Sequence, residues 1–379
     1  MGTFASKTFN PEQDLPDLTG KVVLVTGGNA GIGYGTIKHL ARKGAKVYMA
    51  ARNKAKAEAA ITQLNAEGFG PGNGEVVWIE LDLSDPRNAK KTAQAFKTKE
   101  DRLDVLSVPS SRLDILAAKA DHSLCSPQCC CVREMLEQTL PTHGLLRMFE
   151  PYEIFPDGVQ KIMVVNLISP FVLTRELLPV LKKTASQSNS DVRVVMVSSE
   201  GHRVLSDLPR FRTIEDLNDE CKHSWVPTFI RYCLSKLAII LYASELQRRL
   251  SSDPSTSNII ATSVHPGWVN TWTDRPLIVR LHLSTIITVL GHAISVVPDV
   301  GAYTSVFAAA APVVKKEREK YAGAYLVPVG RAVKPSVGMW KRVIEGQREV
   351  TVREVDEEWA ESGEELWEVI ERFLEERGI

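Results

Sequence analysis

The 379-residue chain has no excess of charge, because its 46 lysines and arginines are matched by 46 aspartates and glutamates. A chain without a global field gives no support for a nucleic-acid partner or an anionic membrane surface. It also lacks an internal repeat of solenoid length. Its apolar and aromatic fractions, 44% and 7%, are ordinary for a globular protein. Composition therefore leaves an enzyme and a binding module as the classes to separate.

Cysteine is scarce and unevenly placed. Four of the six cysteines crowd together, at Cys125, Cys129, Cys130 and Cys131. This is not the even framework of a small disulfide-bonded secreted domain, so a reduced, cytoplasmic setting is expected. The spacing also differs from the paired spacing of structural zinc sites, so we expect no metal.

Residues 1–17 are polar and lack the apolar core of a signal peptide, and we interpret them as an N-terminal extension. The longest apolar stretch, Leu277–Val297, is short for a membrane span and is interrupted by Arg280, His282 and His292. We interpret residues 268–300 as an amphipathic flap. Membrane contact by this flap stays open but is not expected.

Apolar patterning over the first eighty residues alternates between strand and helix. Short apolar runs at Lys21–Val25, Lys46–Ala50 and Val76–Leu81 are separated by helical periods at Ile32–Lys43 and Lys54–Glu67. Such alternation predicts an α/β fold with a doubly wound parallel sheet, the Rossmann fold.

Later segments continue the same pattern. We predict strands at Val192–Val197 and Ile259–Val264, with a long helix at Tyr232–Leu250 between them. Glu357–Arg377 predicts an acidic surface helix that docks an aromatic face. We divide the chain into a single Rossmann domain, residues 18–340, and a C-terminal helical extension, residues 341–379.

A glycine-rich turn joins the first strand to the first long helix. Glycine in this setting permits a tight turn and close approach of a pyrophosphate, and the helix N-terminus offers unpaired amides. The predicted dinucleotide contacts are Thr26, Gly27, Asn29, Gly31, Ile32 and Gly33. The alternative is a plain connecting turn, which the strand–turn–helix setting disfavours.

The end of the second strand selects between NAD and NADP. An acidic residue there would bond the 2′-hydroxyl of NAD, but the sequence is Ala50-Ala51-Arg52-Asn53. Arg52 can pair with a 2′-phosphate, so NADP is the predicted cofactor. The alternative is a solvated arginine. Asp82 could accept from the adenine amino group, or it could cap the helix that begins near Pro86.

Tyr232 and Lys236 stand four residues apart and so share one helix face. We expect the ammonium to lower the pKa of the phenol and make it a general acid–base. Ser198 and Ser199 follow a predicted strand, where a hydroxyl could hold a substrate oxygen or simply cap a turn.

These motifs, in this order, resemble the short-chain dehydrogenase/reductase family. Within this family, the sequence resembles the retinol-dehydrogenase and WW-domain-oxidoreductase-like branch of fungal type, although the chain has no WW domain. It covers roughly Leu18 to Val333. The matching segments are Thr26–Gly33, Asp82-Leu83, Arg102–Leu106, Val165-Asn166, Val197–Ser199, Tyr232–Lys236 and Pro266–Thr271.

The resemblance implies a role for each matching residue. Tyr232 exchanges the substrate proton, and Lys236 holds the nicotinamide ribose. Ser199 polarises the carbonyl, and Asn166 completes the catalytic group by holding a water. The residues implied to fix the nicotinamide are Pro266, Gly267, Val269 and Thr271, with Asn166, Tyr232 and Lys236 also beside the cofactor.

The implied reaction is hydride transfer between NADP and a carbonyl or alcohol. Trp268, Trp272, Leu277, Ile278 and Leu281 in the flap indicate a lipophilic small-molecule substrate, although each alone could be ordinary helix packing. The fungal resemblance suggests secondary metabolism. It also implies pairing of two copies through the helices that hold Asn166 and Tyr232, so we expect a homodimer.

The family pattern breaks after Leu116. The expected Asn-Asn-Ala-Gly is replaced by Ala117-Ala118-Lys119-Ala120, and the strand motif Arg102–Leu106 is nearly repeated at Arg112–Leu116. We interpret residues 107–143 as an irregular Cys-rich insertion that arose from a mis-spliced gene model. The alternative function is therefore a cofactor-binding pseudo-enzyme that the loss has inactivated. A Rossmann-fold epimerase or dehydratase is a weaker alternative.

Overall fold

The computed structural model describes residues 9–109, 151–224, 226–267, 298–337 and 352–379. Its strands form one eight-stranded sheet in the order β3-β2-β1-β4-β5-β6-β7-β8, in which all pairs are parallel except β7 with β8. The strands are β1 Val22–Thr26, β2 Lys46–Ala51, β3 Glu75–Glu80, β4 Val105–Val108, β5 Val192–Val197, β6 Ile259–Val264, β7 Tyr325–Val327 and β8 Arg331–Val333. The predicted doubly wound sheet is thus confirmed.

Helices connect the strands and cover both faces of the sheet. Those within the described ranges are α1 Pro11–Asp14, α2 Gly31–Arg42, α3 Lys54–Glu67, α4 Pro86–Lys97, α5 Lys161–Ala185, α6 Ile214–Leu217, α7 Pro227–Ser252, α8 Pro298–Gly301, α9 Tyr303–Ala310, α10 Pro312–Lys316, α11 Arg318–Tyr321 and α12 Val352–Glu376. A 3₁₀ turn, Glu200–Val204, follows β5.

Strand residues alternate between two buried layers, because successive side chains of a strand point to opposite faces. Val23 and Val25 pack beneath α2, α3 and α9, whereas Val22 and Leu24 pack on the side of α4, α5 and α7. Parallel strands with both faces covered read as continuous apolar runs, which is why β1, β5 and β6 were visible in the sequence.

The strand order reverses direction between β1 and β4. In an open α/β sheet, ligands bind in the crevice at the carboxyl ends of the strands beside such a reversal. Here Thr26 ends β1, and its Oγ1 donates a hydrogen bond to the carbonyl of Pro109, 3.1 Å away, just after β4. The fold therefore places the candidate site at the edge formed by the ends of β1, β4, β5 and β6.

The first copy of the duplicated strand motif forms β4. The predicted insertion began at Ser107, but Ser107 and Val108 are buried residues of β4, paired in register with Val195 and Met196 of β5. That boundary was wrong, because both residues have the apolar surroundings of a central strand. The second copy and the cysteine cluster lie outside the described residues, as do Ala117–Ala120.

The terminal segments pack into the same core. Phe9 and Leu15 are buried in the layer that contains α2 and α9. Helix α12 packs on α7, and its Trp367 ring contacts the rings of Phe171 and Tyr242. The prediction of an acidic helix with a docked aromatic face is confirmed.

Helix α5 is long and apolar enough to cross a membrane by length and composition. In its most apolar 18-residue window, 78% is buried inside the protein. Such burial is typical of a core helix, and α5 packs closely on α4. The predicted flap at residues 268–300 lies outside the described residues as far as residue 297.

Candidate active site

The turn after β1 takes backbone conformations that favour glycine. Gly27 and Gly31 both have φ near +59°, in the left-handed region that L side chains rarely adopt. Ala30 then stands in extended conformation at the N-cap of α2 without a side-chain cap. The first amides of α2, from Gly31 to Gly33, therefore point out of the helix end as potential anion donors.

Glycine at position 33 is required by space. A Cβ placed there would lie 2.6 Å from the carbonyl oxygen of Gly27 and 3.0 Å from the Cα of Gly28. Gly28 is equally confined, because its Cβ would overlap the Ile37 side chain. Helix α2 thus packs against the turn with no room for a side chain. This is the geometry that lets a backbone approach a pyrophosphate.

Arg52 is the first residue after β2 and is exposed at the edge of the sheet. The neighbouring Asn53 caps α3 by accepting from the Lys56 amide at 2.9 Å, which fixes the strand-to-helix turn. No carboxylate stands between Ala51 and Lys54. Arg52 thus follows the end of β2, the position expected from the sequence.

Asp82 lies partly buried just beyond β3, and its carboxylate accepts from the Ser84 amide at 3.0 Å. The cap of α4 is Asp85, whose side chain accepts from the Arg87 amide at 2.8 Å. The alternative that Asp82 caps this helix was wrong, because Asp85 immediately precedes Pro86 at the first helical position.

The two serines after β5 have different surroundings. Ser198 is buried and donates to the backbone carbonyl of Lys236, 2.6 Å away. Ser199 caps the following 3₁₀ turn by accepting from the Gly201 amide at 3.1 Å. A Cβ at Gly201 would lie 3.5 Å from this hydroxyl and 3.8 Å from the Tyr232 ring, so the two side chains are neighbours. The structure therefore brings Ser199, and not Ser198, to the phenol.

Tyr232 and Lys236 lie on one face of α7 as predicted. The Lys236 ammonium is 5.6 Å from the centroid of the Tyr232 ring and donates to the carbonyl of Val197 at 3.1 Å. This bond links the helix to the end of β5. Lys236 is only 1% exposed, and Tyr232 is partly buried.

Burial overturns the predicted electrostatics of this pair. It lowers the pKa of Lys236 to about 7, because the charged form loses its hydration. Burial also raises the pKa of Tyr232, while the hydrogen bond with Ser199 opposes that shift. The prediction that the ammonium lowers the phenol pKa was wrong.

Asn166 sits inside α5, where the helix widens into a π-turn at Val164–Ile168. Its amide donates to the Ser235 hydroxyl at 3.1 Å, and Ser235 in turn donates to the carbonyl of Tyr232 at 2.8 Å. π-turns often occur at functional sites. This chain of bonds joins α5 to the helix turn that carries the phenol.

The loop after β6 lies at the same edge of the sheet as the other candidate site residues. Gly267 has φ of +85°, and a Cβ there would lie 3.2 Å from the Pro328 ring. Pro266 and Gly267 are partly buried beside the end of the sheet. Val269 and Thr271 lie outside the described residues, as do the flap residues Trp268, Trp272, Leu277, Ile278 and Leu281.

Two buried histidines beside the serines escaped the sequence-based prediction. His202 is fully buried, with Nδ1 2.7 Å from the carbonyl oxygen of Ser199. His265 accepts at Nδ1 from the Glu200 amide at 3.3 Å. Burial lowers the pKa of both rings, that of His265 to about 4. The signal available was their position, three residues after Ser199 and immediately before Pro266.

The described residues contain no cluster of three or more histidine, cysteine or acidic side chains that could hold a metal ion. What they contain instead is a backbone cradle at one end of the sheet crevice and a serine–tyrosine–lysine group beside it. Such an arrangement can hold a dinucleotide and exchange a proton with a bound oxygen.

Comparison with known proteins agrees with this geometry. Residues 21–117 match the family model described as short chain dehydrogenase. The chain is 38% identical to a short-chain dehydrogenase/reductase of Armillaria gallica, over 86% of this chain and 89% of that protein. It is 32% identical to human retinol dehydrogenase 14, over 80% of this chain and 78% of that one.

A human polyprenol dehydrogenase is 30% identical, over 86% of this chain and 80% of that protein. Among solved structures, an uncharacterized protein from Mycobacterium paratuberculosis superposes with a TM-score of 0.56 at 25% identity, covering 97% of this chain and 98% of that one. The RhlG–NADP complex of Pseudomonas aeruginosa superposes with a TM-score of 0.54 at 19% identity, covering 84% and 98%. The latter shows a shared fold.

Proposed function

The chain belongs to the short-chain dehydrogenase/reductase family, oxidoreductases that act on alcohol and carbonyl groups with a nicotinamide cofactor, and from this we propose that it uses NADP and a lipophilic substrate. The observation that carries the proposal is that the Ser199 hydroxyl and the Tyr232 ring lie side by side at the carboxyl edge of the sheet, 3.5 Å and 3.8 Å from the position that a Cβ at Gly201 would take. A carbonyl oxygen placed there would meet two hydroxyl groups.

The residues of the glycine turn fit a dinucleotide. The space at Gly33 admits only backbone, and the amides of Gly31 and Ile32 begin α2, so a pyrophosphate can approach without meeting a side chain. When bound, the nicotinamide supplies the hydride. The residues proposed to hold the cofactor are Thr26, Gly27, Asn29, Gly31, Ile32, Gly33, Arg52, Asp82, Asn166, Tyr232, Lys236, Pro266, Gly267, Val269 and Thr271.

Preference for NADP over NAD rests on Arg52. Arg52 is exposed at the end of β2, and the two residues that follow it in the sequence, Asn53 and Lys54, are not acidic. A planar guanidinium can bond a phosphate through two parallel hydrogen bonds. The 2′-hydroxyl of NAD would lack the acidic acceptor that it finds in NAD-specific folds.

Tyr232 is proposed as the proton donor to the substrate oxygen. Burial raises its pKa, so the phenol is protonated at neutral pH and can donate when a carbonyl is reduced. Ser199 donates a second hydrogen bond to the same oxygen and polarises the carbonyl. Lys236 and Asn166 keep the phenol in place through the Val197 carbonyl and Ser235.

The lipophilic substrate class is proposed from the apolar flap residues, and a role in secondary metabolism is a proposal as well. A cytoplasmic location is likewise a proposal, as is a homodimer formed through α5 and α7. Trp367 of α12 already covers Phe171 of α5 and Tyr242 of α7. A dimer through this face therefore has to form around α12.

The first experiment is a titration of the purified chain with NADPH and with NADH, followed by nicotinamide fluorescence. We expect at least about tenfold tighter binding of NADPH, because a charge-assisted phosphate contact is worth well over 1 kcal/mol. Arg52→Gln should abolish the difference. Lys54→Gln, which removes the neighbouring exposed cation, should preserve it.

Turnover of decanal with the preferred cofactor completes this test. Tyr232→Phe should lower the rate by about 10²- to 10⁴-fold, because it removes the proton donor. Equal binding of the two cofactors would contradict the NADP proposal. Binding of NADPH without turnover of any aldehyde or ketone in a lipophilic series would favour the inactive alternative.

A further inference from the structure

His202 is a buried polar side chain that the proposed reaction does not use. It belongs to the 3₁₀ turn Glu200–Val204, and none of its surface is exposed. Its Nδ1 atom lies 2.7 Å from the carbonyl oxygen of Ser199. Because a carbonyl oxygen can only accept, Nδ1 carries the proton and donates. In the neutral ring, Nε2 is therefore the unprotonated nitrogen.

The ring is held by one hydrogen bond and by packing. Tyr325 of β7 is 3% exposed, and its ring meets that of His202 edge to face, with centroids 5.1 Å apart and planes at 88°. Neither Nε2 of His202 nor the hydroxyl of Tyr325 has a hydrogen-bond partner among the described residues. The bond to the Ser199 carbonyl is thus the polar interaction that orients His202.

The same bond orients Ser199. The serine backbone is extended, with φ of −152° and ψ of 152°, and its hydroxyl accepts from the Gly201 amide beside the Tyr232 ring. A rotation of the Ser199 peptide would move its carbonyl off His202 and swing the hydroxyl away from the phenol. Close packing limits other adjustments, because a Cβ at Gly201 would lie 3.2 Å from the Cys233 sulfur.

We propose that His202 is a positioning residue for Ser199, acting through the hydrogen bond from Nδ1 to the Ser199 carbonyl. The inference rests on the proposed function only in taking Ser199 and Tyr232 as the groups that meet the substrate oxygen. His202 touches neither substrate nor cofactor in this assignment. It fixes the backbone from which the serine hydroxyl projects, and Tyr325 fixes the plane of its ring.

The test compares two amide replacements of the same residue. His202→Asn places an amide nitrogen near the position of Nδ1, so it can still donate to the Ser199 carbonyl. His202→Gln places the amide near the position of Nε2 and loses that bond. Both are neutral and polar, so the comparison isolates the position of the donor. His223→Gln, at an exposed histidine, is the matched control.

We expect kcat for decanal reduction to stay within about threefold of wild type in His202→Asn and to fall by about 10- to 100-fold in His202→Gln, since small misplacements at a reacting centre cost up to about 10²-fold. KM and NADPH affinity should change little in either. The alkaline limb of the pH–rate profile should move to higher pH in His202→Gln alone, because the Ser199 bond that lowers the phenol pKa is weakened.

Equal losses in the two variants, or a loss in His202→Gln that follows its thermal unfolding temperature, would overturn the proposal. Nitrogen-15 NMR of the wild-type histidines gives a readout that needs no activity. A neutral His202 with its proton on Nδ1 supports the assignment, and a proton on Nε2 contradicts it. Absence of turnover in wild type with the Nδ1 proton in place would refute the proposed function and leave the geometry of His202 intact.

Discussion

The two ends of the sheet crevice are built on different principles. At the turn Gly27–Gly33, the shape of the backbone matters. Gly28 and Gly33 have no room for a side chain, because a Cβ would overlap Ile37 at the first and lie 2.6 Å from the Gly27 carbonyl oxygen at the second. At the group formed by Ser199, Tyr232 and Lys236, side chains from two elements converge, and their ionisation is set by burial. The first region contains no ionisable side chain, whereas the second depends on several.

This difference determines how each region tolerates change. A turn whose shape depends on close backbone packing should bind the cofactor less well when a side chain is enlarged. Its own conformation should not change with pH. A group defined by hydrogen bonds and desolvation should fail when a single hydroxyl is removed and should respond to pH. Substitutions in each region and changes of pH separate these behaviours.

After the loss of the Tyr232 phenol, removal of the Ser199 hydroxyl should have the largest effect on turnover. Ser199→Ala deletes a donor to the substrate oxygen, and the loss of one such donor typically costs about 10²- to 10³-fold in kcat. NADPH binding should change little, because the Ser199 hydroxyl is not among the groups proposed to hold the cofactor. Steady-state kinetics and a fluorescence titration of the same preparation measure both quantities.

Ser198→Ala is the matched control for this substitution. Its hydroxyl bonds the Lys236 carbonyl, so the variant should lose about 1 kcal/mol of stability and keep most of its turnover. If Ser198→Ala and Ser199→Ala lost turnover equally, the assignment of the second serine to the site would be refuted.

Added volume at Gly33 should act on the other end of the crevice. Gly33→Ala forces its Cβ against the Gly27 carbonyl, so the turn has to move away from the pyrophosphate position. We expect NADPH binding to weaken by roughly 30- to 150-fold, corresponding to about 2 to 3 kcal/mol for one hydrogen bond to a charged group. Fluorescence titration measures the effect.

Gly70 provides the control for this change, because a Cβ there meets nothing within 4 Å. Gly70→Ala should bind NADPH as wild type does. If Gly33→Ala bound NADPH as tightly as wild type, the turn would not approach the cofactor. The contrast between the turn Gly27–Gly33 and the group formed by Ser199, Tyr232 and Lys236 would then be refuted.

Local pattern was enough to predict the fold and the glycine turn. The predicted helix Lys54–Glu67 and the predicted strands Val192–Val197 and Ile259–Val264 have the observed bounds. Residues next to the helix set these bounds. The Asn53 side chain caps the N-terminus of α3, and Gly68 follows its last residue. Because backbone space at Gly33 is also set within a few residues, its role was visible in the sequence.

The electrostatics of the catalytic group could not be predicted in the same way. The spacing of Tyr232 and Lys236 fixed their shared helix face, but the burial of both depends on β5 and on the turn after it. Burial reversed the expected direction of the tyrosine pKa. His202 and His265 were missed for the same reason, because their contacts join segments that are adjacent only in the folded chain.

The smallest expected effect is the pH dependence of stability that His265 contributes. Its pKa is about 4 in the folded chain and 6.5 as a free side chain, because burial disfavours the charged ring. Glu200 and His202 are the ionisable groups that face it. Between these two values the unfolded chain binds a proton that the folded chain does not. Stability is therefore present above pH 6.5 and is lost as the pH falls toward 4.

Urea unfolding should detect this loss as about 1 kcal/mol between pH 7 and pH 5.5, since one pKa unit corresponds to about 1.4 kcal/mol. His265→Asn keeps an acceptor for the Glu200 amide but cannot titrate, so its stability should fall less over that interval. His223→Asn, at an exposed histidine, should follow wild type. Parallel pH curves for wild type and His265→Asn would show that His265 is not what makes the catalytic end of the crevice sensitive to acid.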